Sequence, residues 1–210
     1  MVAGGGGDVV AGGAGVGVGD EARRVAEEVL EELGPYCVRC VIAGGIRRGK
    51  PNPHDVEICY IPVMVAGQVD LLTEGEVPAT AERIEELRRR GWWDYDQVVK
   101  RNGPKYKRMR RDGVVVELFR AVSGNWGLVL AIRTGPVEFN RLAVLERVRG
   151  GGMPWNMMMK GGWLWRQGRK VETRSERVYF EELELPYWGP ELREADRLRT
   201  WLRKAERLGR

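Results

Sequence analysis

The sequence predicts an α/β (α+β) fold, a mixed β-sheet flanked by helices and followed by a small C-terminal α+β unit. Three observations carry this expectation. Apolar residues Ala22, Val25, Ala26, Val29, Leu30 and Leu33 recur at threes and fours, the period of an amphipathic helix. Two short runs follow, 37–43 and 55–61, the second alternating in polarity as a strand does. After residue 122 helical patterning returns, interrupted by one small hairpin signal at 163–171.

Taken in order, residues 1–19 are nearly all Gly, Ala and Val, a composition too poor in apolar surface to offset chain entropy, so a disordered tail is expected. Asp20 caps the first helix and Gly34-Pro35 stops it. A buried strand is expected over 37–43, Gly44-Gly45 then makes a turn, and after Pro51-Asn52-Pro53 a strand over 55–61 lies beside the first. A charged helix is expected at 79–90. Strands at 98–100, 105–110 and 114–119 follow, joined at Asn102-Gly103 and Asp112-Gly113 as hairpins. Helices over 126–133 and 138–149 are hinged at Thr134-Gly135-Pro136, where Gly ends one and Pro starts the next. Ser175 caps a helix through Leu183, and 190–208 reads as one long helix with Leu192, Ala195, Leu198, Trp201, Leu202, Ala205 and Leu208 on its apolar face.

Composition bounds the function classes. At 43% hydrophobic and 31% charged, with no run of eighteen apolar residues, a helical membrane span is not expected. The start of the chain lacks a basic stretch followed by an apolar one, so no secretory signal is expected. Three cysteines cannot all pair, which suits a reducing, cytoplasmic setting. The net charge of +5 concentrates at 88–90 and 100–111, favouring a polyanionic partner.

The chemistry-bearing stretch is 44–57. Gly44-Gly45-Ile46-Arg47-Arg48-Gly49-Lys50 has the G-x-x-x-x-G-K spacing of a P-loop, but Pro51 stands where Ser or Thr would hold magnesium. No helix could continue through Pro51 and Pro53 either, and the P-loop reading fails. Asp55 and Glu57, two apart on a strand, share one face, where their repulsion favours a divalent cation between them. That face continues with Cys59 and Ile61, which argues against open solvent. Glu117 interrupts the apolar run 114–119 and is either satisfied by a basic partner or a ligand. The amides of Gly44-Gly45 and the Arg48 guanidinium could hold a triphosphate beside these acids.

This arrangement resembles the nucleotidyltransferase palm of the X-family DNA polymerases. The matching residues are Gly44-Gly45-Ile46-Arg47-Arg48-Gly49, Asp55-Val56-Glu57-Ile58, Asn102-Gly103-Pro104-Lys105-Tyr106-Lys107 and Val116-Glu117-Leu118-Phe119. Arg133-Thr134-Gly135 with Phe139-Asn140, then Ser175-Glu176 and Leu185-Pro186-Tyr187-Trp188-Gly189-Pro190-Glu191-Leu192-Arg193, resemble the family's thumb. The resemblance implies a palm at 20–122, a thumb at 123–193 and a helical extension at 194–210. It implies a minimal form that starts directly at the palm, without the family's lyase and fingers domains. It further implies two magnesium ions, with manganese as an alternative, held by Asp55, Glu57 and Glu117 as the catalytic acids. Gly44, Gly45 and Arg48 would hold the triphosphate, while Gly135 and Asn140 would contact the nucleotide. The expected activity is addition of a dNTP to a primer 3′-hydroxyl on primer-template or gapped DNA, with pyrophosphate released, in short-gap repair.

The chain departs from that pattern at Gly45, where the family has serine, at Ile132-Arg133, where many members have an aromatic pair, and at Glu117, where aspartate is usual. Two alternatives follow: a nucleic-acid-binding protein with a degenerate palm, and a nucleotidyltransferase with another acceptor. Lys105 and Lys107 share one face of their strand and are the pair expected on DNA, with Arg108 on the other face. Cys37-Val38-Arg39-Cys40 lacks a second cysteine pair, so structural zinc is not expected. Trp92-Trp93, Trp155, Trp163, Trp165 and the methionines 157–159 are expected to pack the core.

Overall fold

A mixed sheet organises the first half of the chain in the computed structural model, which describes residues 18–69, 73–97 and 102–208. Of the expected tail at 1–19, residues 1–17 lie outside the described residues, as does the expected strand at 98–100. Val18 and Gly19 already belong to the first helix, α1 (Val18–Leu33). Next come β1 (Cys37–Ile42), the single turn α2 (Gly44–Arg47), β2 (Asp55–Pro62), β3 (Met64–Gln68), β4 (Glu74–Pro78) and α3 (Ala79–Arg89). Three strands follow, β5 (Asp94–Tyr95), β6 (Tyr106–Arg111) and β7 (Val114–Arg120).

The sheet runs β1-β2-β7-β6-β5. β2 and β7 pair in parallel at its centre, with Glu57 opposite Glu117, and β1, β6 and β5 add antiparallel. The turn at Asp112-Gly113 takes positive φ at both residues, the type I′ geometry that matches strand twist. β3 and β4 form a separate exposed hairpin. Its sparse apolar alternation gave no strand signal.

Alternation along β2 divides the core. Val56, Ile58 and Tyr60, with Met109, Val116 and Leu118, face α1 and α3 and pack on Ala22, Val25, Ala26, Val29, Leu33, Ile84 and Leu87. On the reverse face Cys59, Ile61, Phe119 and Ala121 are covered by Trp126 and Leu130 of α4 (Trp126–Thr134). Helices therefore flank both faces. The carboxylate face of β2 is covered beyond Glu57, in the direction Cys59 and Ile61 suggested. β1 corrects the expectation of a buried strand. It is the sheet edge, with Val38 65% exposed and the Arg39 guanidinium over the Trp126 ring.

The second half contains α5 (Val137–Val144), β8 (Met157–Lys160), β9 (Trp163–Arg166), β10 (Arg169–Val171), α6 (Glu176–Glu182) and α7 (Ala195–Arg207). Its core joins Leu128, Ala131, Phe139, Met153, Met157, Leu164, Tyr179, Phe180 and Leu198. Ser175 caps α6 by accepting a hydrogen bond from the Val178 amide, as expected. Two helices are shorter than their periodicity suggested. α5 stops at Val144 because the glycine-rich return 150–152 folds onto its end: the Gly152 amide donates to Leu142 O and the Met153 amide to Leu145 O. A Cβ at Gly151 would stand 2.1 Å from Leu145 O. The expected helix over 190–208 breaks into a 3-10 turn at Pro190–Leu192 and α7. Arg193 leaves helical geometry between them to bury its side chain.

That buried arginine ties the halves together. Arg47 donates to both Glu176 carboxylate oxygens and Arg193 Nη1 donates to Glu176 Oε1, at 2.6–2.8 Å. Arg47 also reaches Thr134 Oγ1 at 2.7 Å, and Arg193 lies over the Phe180 ring. Burial pushes the Glu176 carboxyl up, but hydrogen bonds from Arg47 and Arg193 outweigh it and hold the carboxyl below the usual range. No helix of the described residues is long and apolar enough to cross a membrane. Removing one member of a buried ion cluster strands the others, at about 3–5 kcal/mol. Glu176→Ala should lose stability on that scale in urea unfolding; a loss under about 1 kcal/mol, the range of an exposed pair, would deny the cluster this role.

Candidate active site

The site begins where β1 ends. Gly44 takes φ of +63°, a conformation that glycine adopts without a steric penalty. The chain here passes so close to β2 that a Cβ on Gly44 would stand 1.8 Å from Glu57 Oε2. The Ala43 amide donates to Glu57 O at 2.7 Å. Gly45 is less constrained: its Cβ would meet only ordinary contacts with Lys50 and Arg48, at 3.5 Å and beyond. The chain then turns out through Gly49 and Pro51.

Strand register sets the acids. Asp55 and Glu57 share the face that continues with Cys59 and Ile61 and is covered there by Trp126 and Leu130, and parallel pairing sets Glu117 directly beside Glu57. Asp55 is exposed and Glu57 half-buried. Burial, reinforced by the Asp55 and Glu117 charges, pushes the Glu57 carboxyl up to about 7, against the opposing pull of Arg133 and Arg48. Crowded carboxylates of this kind suit a divalent cation.

Glu117 has taken a different partner. Arg108, directly opposite on β6, donates to Glu117 Oε1 at 2.7 Å, and the Tyr106 hydroxyl donates to the same oxygen. Arg108 also bonds Asp96, a buried acid. The sequence left open a basic partner or a ligand role for Glu117, and here it has the basic partner. Among the described residues no group of three His, Cys, Asp or Glu side chains is arranged to enclose one metal ion. The three acids share a face without converging on a point.

A cleft of about 470 Å³ opens over these acids, lined by Gly45, Arg48, Lys50, Asp55 and Glu57 on the sheet side and by Arg133, Gly135, Asn140 and Arg141 on the helical hairpin. Arg48 is half-buried and its Nη1 donates to Thr134 O. Burial, ahead of the opposing Glu57 and Asp55 charges, leaves its pKa below the ordinary arginine value. Asn140 Nδ2 donates to Ile132 O and Gly135 O, at 2.6 and 3.1 Å, fastening the α4–α5 turn. A side chain on Gly135 would strike Asn140 Oδ1 at 2.4 Å.

Of the expected site residues, Gly45, Arg48, Asp55, Glu57, Gly135 and Asn140 line this cleft, Gly44 backs Glu57, and Glu117 adjoins it through the sheet. Lys105 and Lys107 are set apart. Lys105 is exposed just before β6. Lys107, opposite buried Leu118, points to the sheet face of α1 and α3, its ammonium 5.8 Å from the Tyr95 ring centre. Sequence reasoning missed Lys50 and Arg141 on the cleft wall, and also Arg133, whose guanidinium stacks 3.9 Å above the Phe119 ring. The signal available was the cation at each position, but spacing alone did not say which way each would point. No protein-family model matches the chain, and no curated protein matches it.

A carboxyl whose folded pKa is about 7 against an ordinary 4.5 binds its proton more tightly in the folded state. The folded state is therefore favoured most below pH 4.5 and loses that advantage as pH rises to about 7. In chelator-treated protein, Glu57→Gln should flatten the fall in unfolding free energy across this window. Parent and variant with identical slopes would contradict the crowding of Glu57.

Proposed function

We propose that this chain is a minimal, X-family-like DNA polymerase, transferring a nucleotidyl group from a dNTP to a primer 3′-hydroxyl in short-gap repair. The observation that carries the reading is the parallel β2–β7 register, which sets Glu57 beside Glu117 under a cleft walled by Arg48, Lys50, Arg133 and Asn140. The ordered motifs from Gly44 to Arg193 add the acceptor to it: primer-template or gapped DNA in the cytoplasm.

Asp55 and Glu57 fit a cation, because two carboxylates share one strand face and burial, reinforced by the Asp55 and Glu117 charges, raises the Glu57 pKa. These two would hold the pair of magnesium ions, with Glu117 turned toward the one at the primer terminus. When bound, the ions would acidify the 3′-hydroxyl and neutralise charge on the attacking and leaving oxygens. The 3′-hydroxyl would give its proton to water, its oxygen would bond to the α-phosphorus as the bond from that phosphorus to the bridging oxygen breaks, and pyrophosphate would depart. Arg48 would lay its guanidinium fork along the triphosphate, beside Lys50 on the same wall. Asn140, whose Nδ2 is already engaged, would offer Oδ1 to the sugar or base. On the DNA side, exposed Lys105 stands in the open, while Lys107 would serve only a strand reaching the far face of the sheet.

One observation favours a second reading, a nucleic-acid-binding protein whose palm no longer catalyses. Glu117 is neutralised by Arg108 and bonded by Tyr106. Its role in transfer requires that pair to open.

Extension of a one-nucleotide gap separates the two. The parent should extend weakly in Mg²⁺ and better in Mn²⁺, whose looser geometry tolerates a misplaced carboxylate. Asp55→Asn should reduce extension about 10²–10³-fold, the scale of lost transition-state charge stabilisation, with DNA affinity nearly unchanged. Undiminished extension by Asp55→Asn would refute the assignment of this site, and nucleotide binding without extension in either metal would establish the second reading.

A further inference from the structure

The expectation that the tryptophans and methionines of the second half all pack inward holds only in part. Met157 and Leu164 are buried, but Trp155 is 79% exposed and Met158 59% exposed. For Met158 the three-stranded sheet β8-β9-β10 gives the reason. Its register pairs Met158 with Trp165 and Trp165 with Lys170, and Lys160 with Trp163. Directly paired residues, and residues two apart, lie on the same side of a sheet. One face therefore carries Met157 and Leu164 into the core, while the other presents Met158, Lys160, Trp163, Trp165 and Lys170.

That outer face combines aromatic surface with unneutralised positive charge. The Lys170 ammonium stands 5.2 Å from the Trp163 ring centre and 5.6 Å from that of Trp165. Among the described residues neither Lys160 nor Lys170 has an acidic partner within ion-pair distance; the nearby Glu172 is paired with Arg174. Trp165 is pinned by its Nε1 hydrogen bond to Lys160 O at 3.1 Å. Trp163 is backed by Gly124, where a Cβ would meet its ring at 2.9 Å. Both indoles are thus held in place before any partner arrives.

We propose that this face binds single-stranded nucleic acid, bases stacking on Trp163, Trp165 and Met158 while Lys160 and Lys170 contact the phosphates. Charge complementarity selects a polyanion, and the two half-buried rings, with exposed Met158 beside Trp165, select one whose base faces are free, as in an unpaired strand. The two indoles lie about 6.8 Å apart along β9, a span that a strand with a step of about 3.4 Å covers in two nucleotides. A duplex hides its base faces and could offer this surface only phosphates. This face is the reverse of the side of β8 whose Met159 borders the acidic cleft, and its binding stands whether or not the chain transfers nucleotides.

The test uses the full chain, a labelled oligothymidylate and fluorescence anisotropy in chelator, with no dNTP present. Stacking is worth about 1–3 kcal/mol per base, so Trp165→Ala should weaken binding roughly 5- to 150-fold, while Trp165→Tyr should retain most of the affinity. Lys160→Glu with Lys170→Glu should weaken it and flatten its dependence on salt. Because binding is read without metal or dNTP and at Trp165, its outcome is separate from the fate of the polymerase reading. Equal affinity of the parent and Trp165→Ala, each checked for native circular dichroism, would overturn the proposal. So would equal competition by blunt duplex, or failure of the parent to bind the oligonucleotide.

Discussion

The site depends on one pairing, the parallel register of β2 on β7. Had the strands slipped by a single residue, every side chain of β7 would have exchanged faces, sending Glu117 into the α1 and α3 core and Val116 into the cleft. The burial of Val116 and Leu118 against α1 makes that slip costly. The same hydrophobic contacts that stabilise the sheet therefore fix Glu117 beside Glu57. Gly44 completes the constraint, since only a residue without a Cβ lets the end of β1 pass over Glu57.

The two central acids are balanced differently, and the difference is electrostatic. Glu57 faces two cations, Arg48 and Arg133, yet burial and two neighbouring carboxylates outweigh them and raise its pKa. Glu117 has Arg108 in direct contact, and Arg108 is itself anchored by buried Asp96. A guanidinium within hydrogen-bond distance of one acid, and farther from its neighbour, gives two adjacent carboxylates separate characters. A bound cation would compete with Arg108 for Glu117 and would relieve the repulsion at Glu57. The wall opposite the acids belongs to the second half of the chain, so the Arg47–Glu176–Arg193 cluster that joins the halves also sets the cleft's width.

Much of this was legible in the sequence where period and chemistry agreed. Alternation along 55–61 separated Val56, Ile58 and Tyr60 from Asp55, Glu57 and Cys59, and the packing follows that division. Helix α1 and the hinge at Gly135-Pro136 were readable from periodicity and from residues that permit few conformations. What escaped depended on partners distant in sequence. β1 is apolar enough to read as buried, but its place in the strand order makes it an edge. The apolar face of 190–208 is continuous, yet it breaks because burying Arg193 against Glu176 outweighs one more helical turn. Arg108 looked like one cation in a basic run. Only the β6–β7 register makes it the partner of Glu117.

If the chain transfers nucleotides, Asp55 and Glu57 form a divalent-cation site over which a triphosphate lies. Anomalous scattering from crystals grown with Mn²⁺ and a non-hydrolysable nucleoside triphosphate tests it most directly. A polymerase site should show manganese bounded by Asp55 and Glu57, phosphates against Arg48, and Glu117 turned away from Arg108. Manganese and triphosphate bound elsewhere, with the Arg108–Glu117 pair intact and Asp55 free, would contradict it.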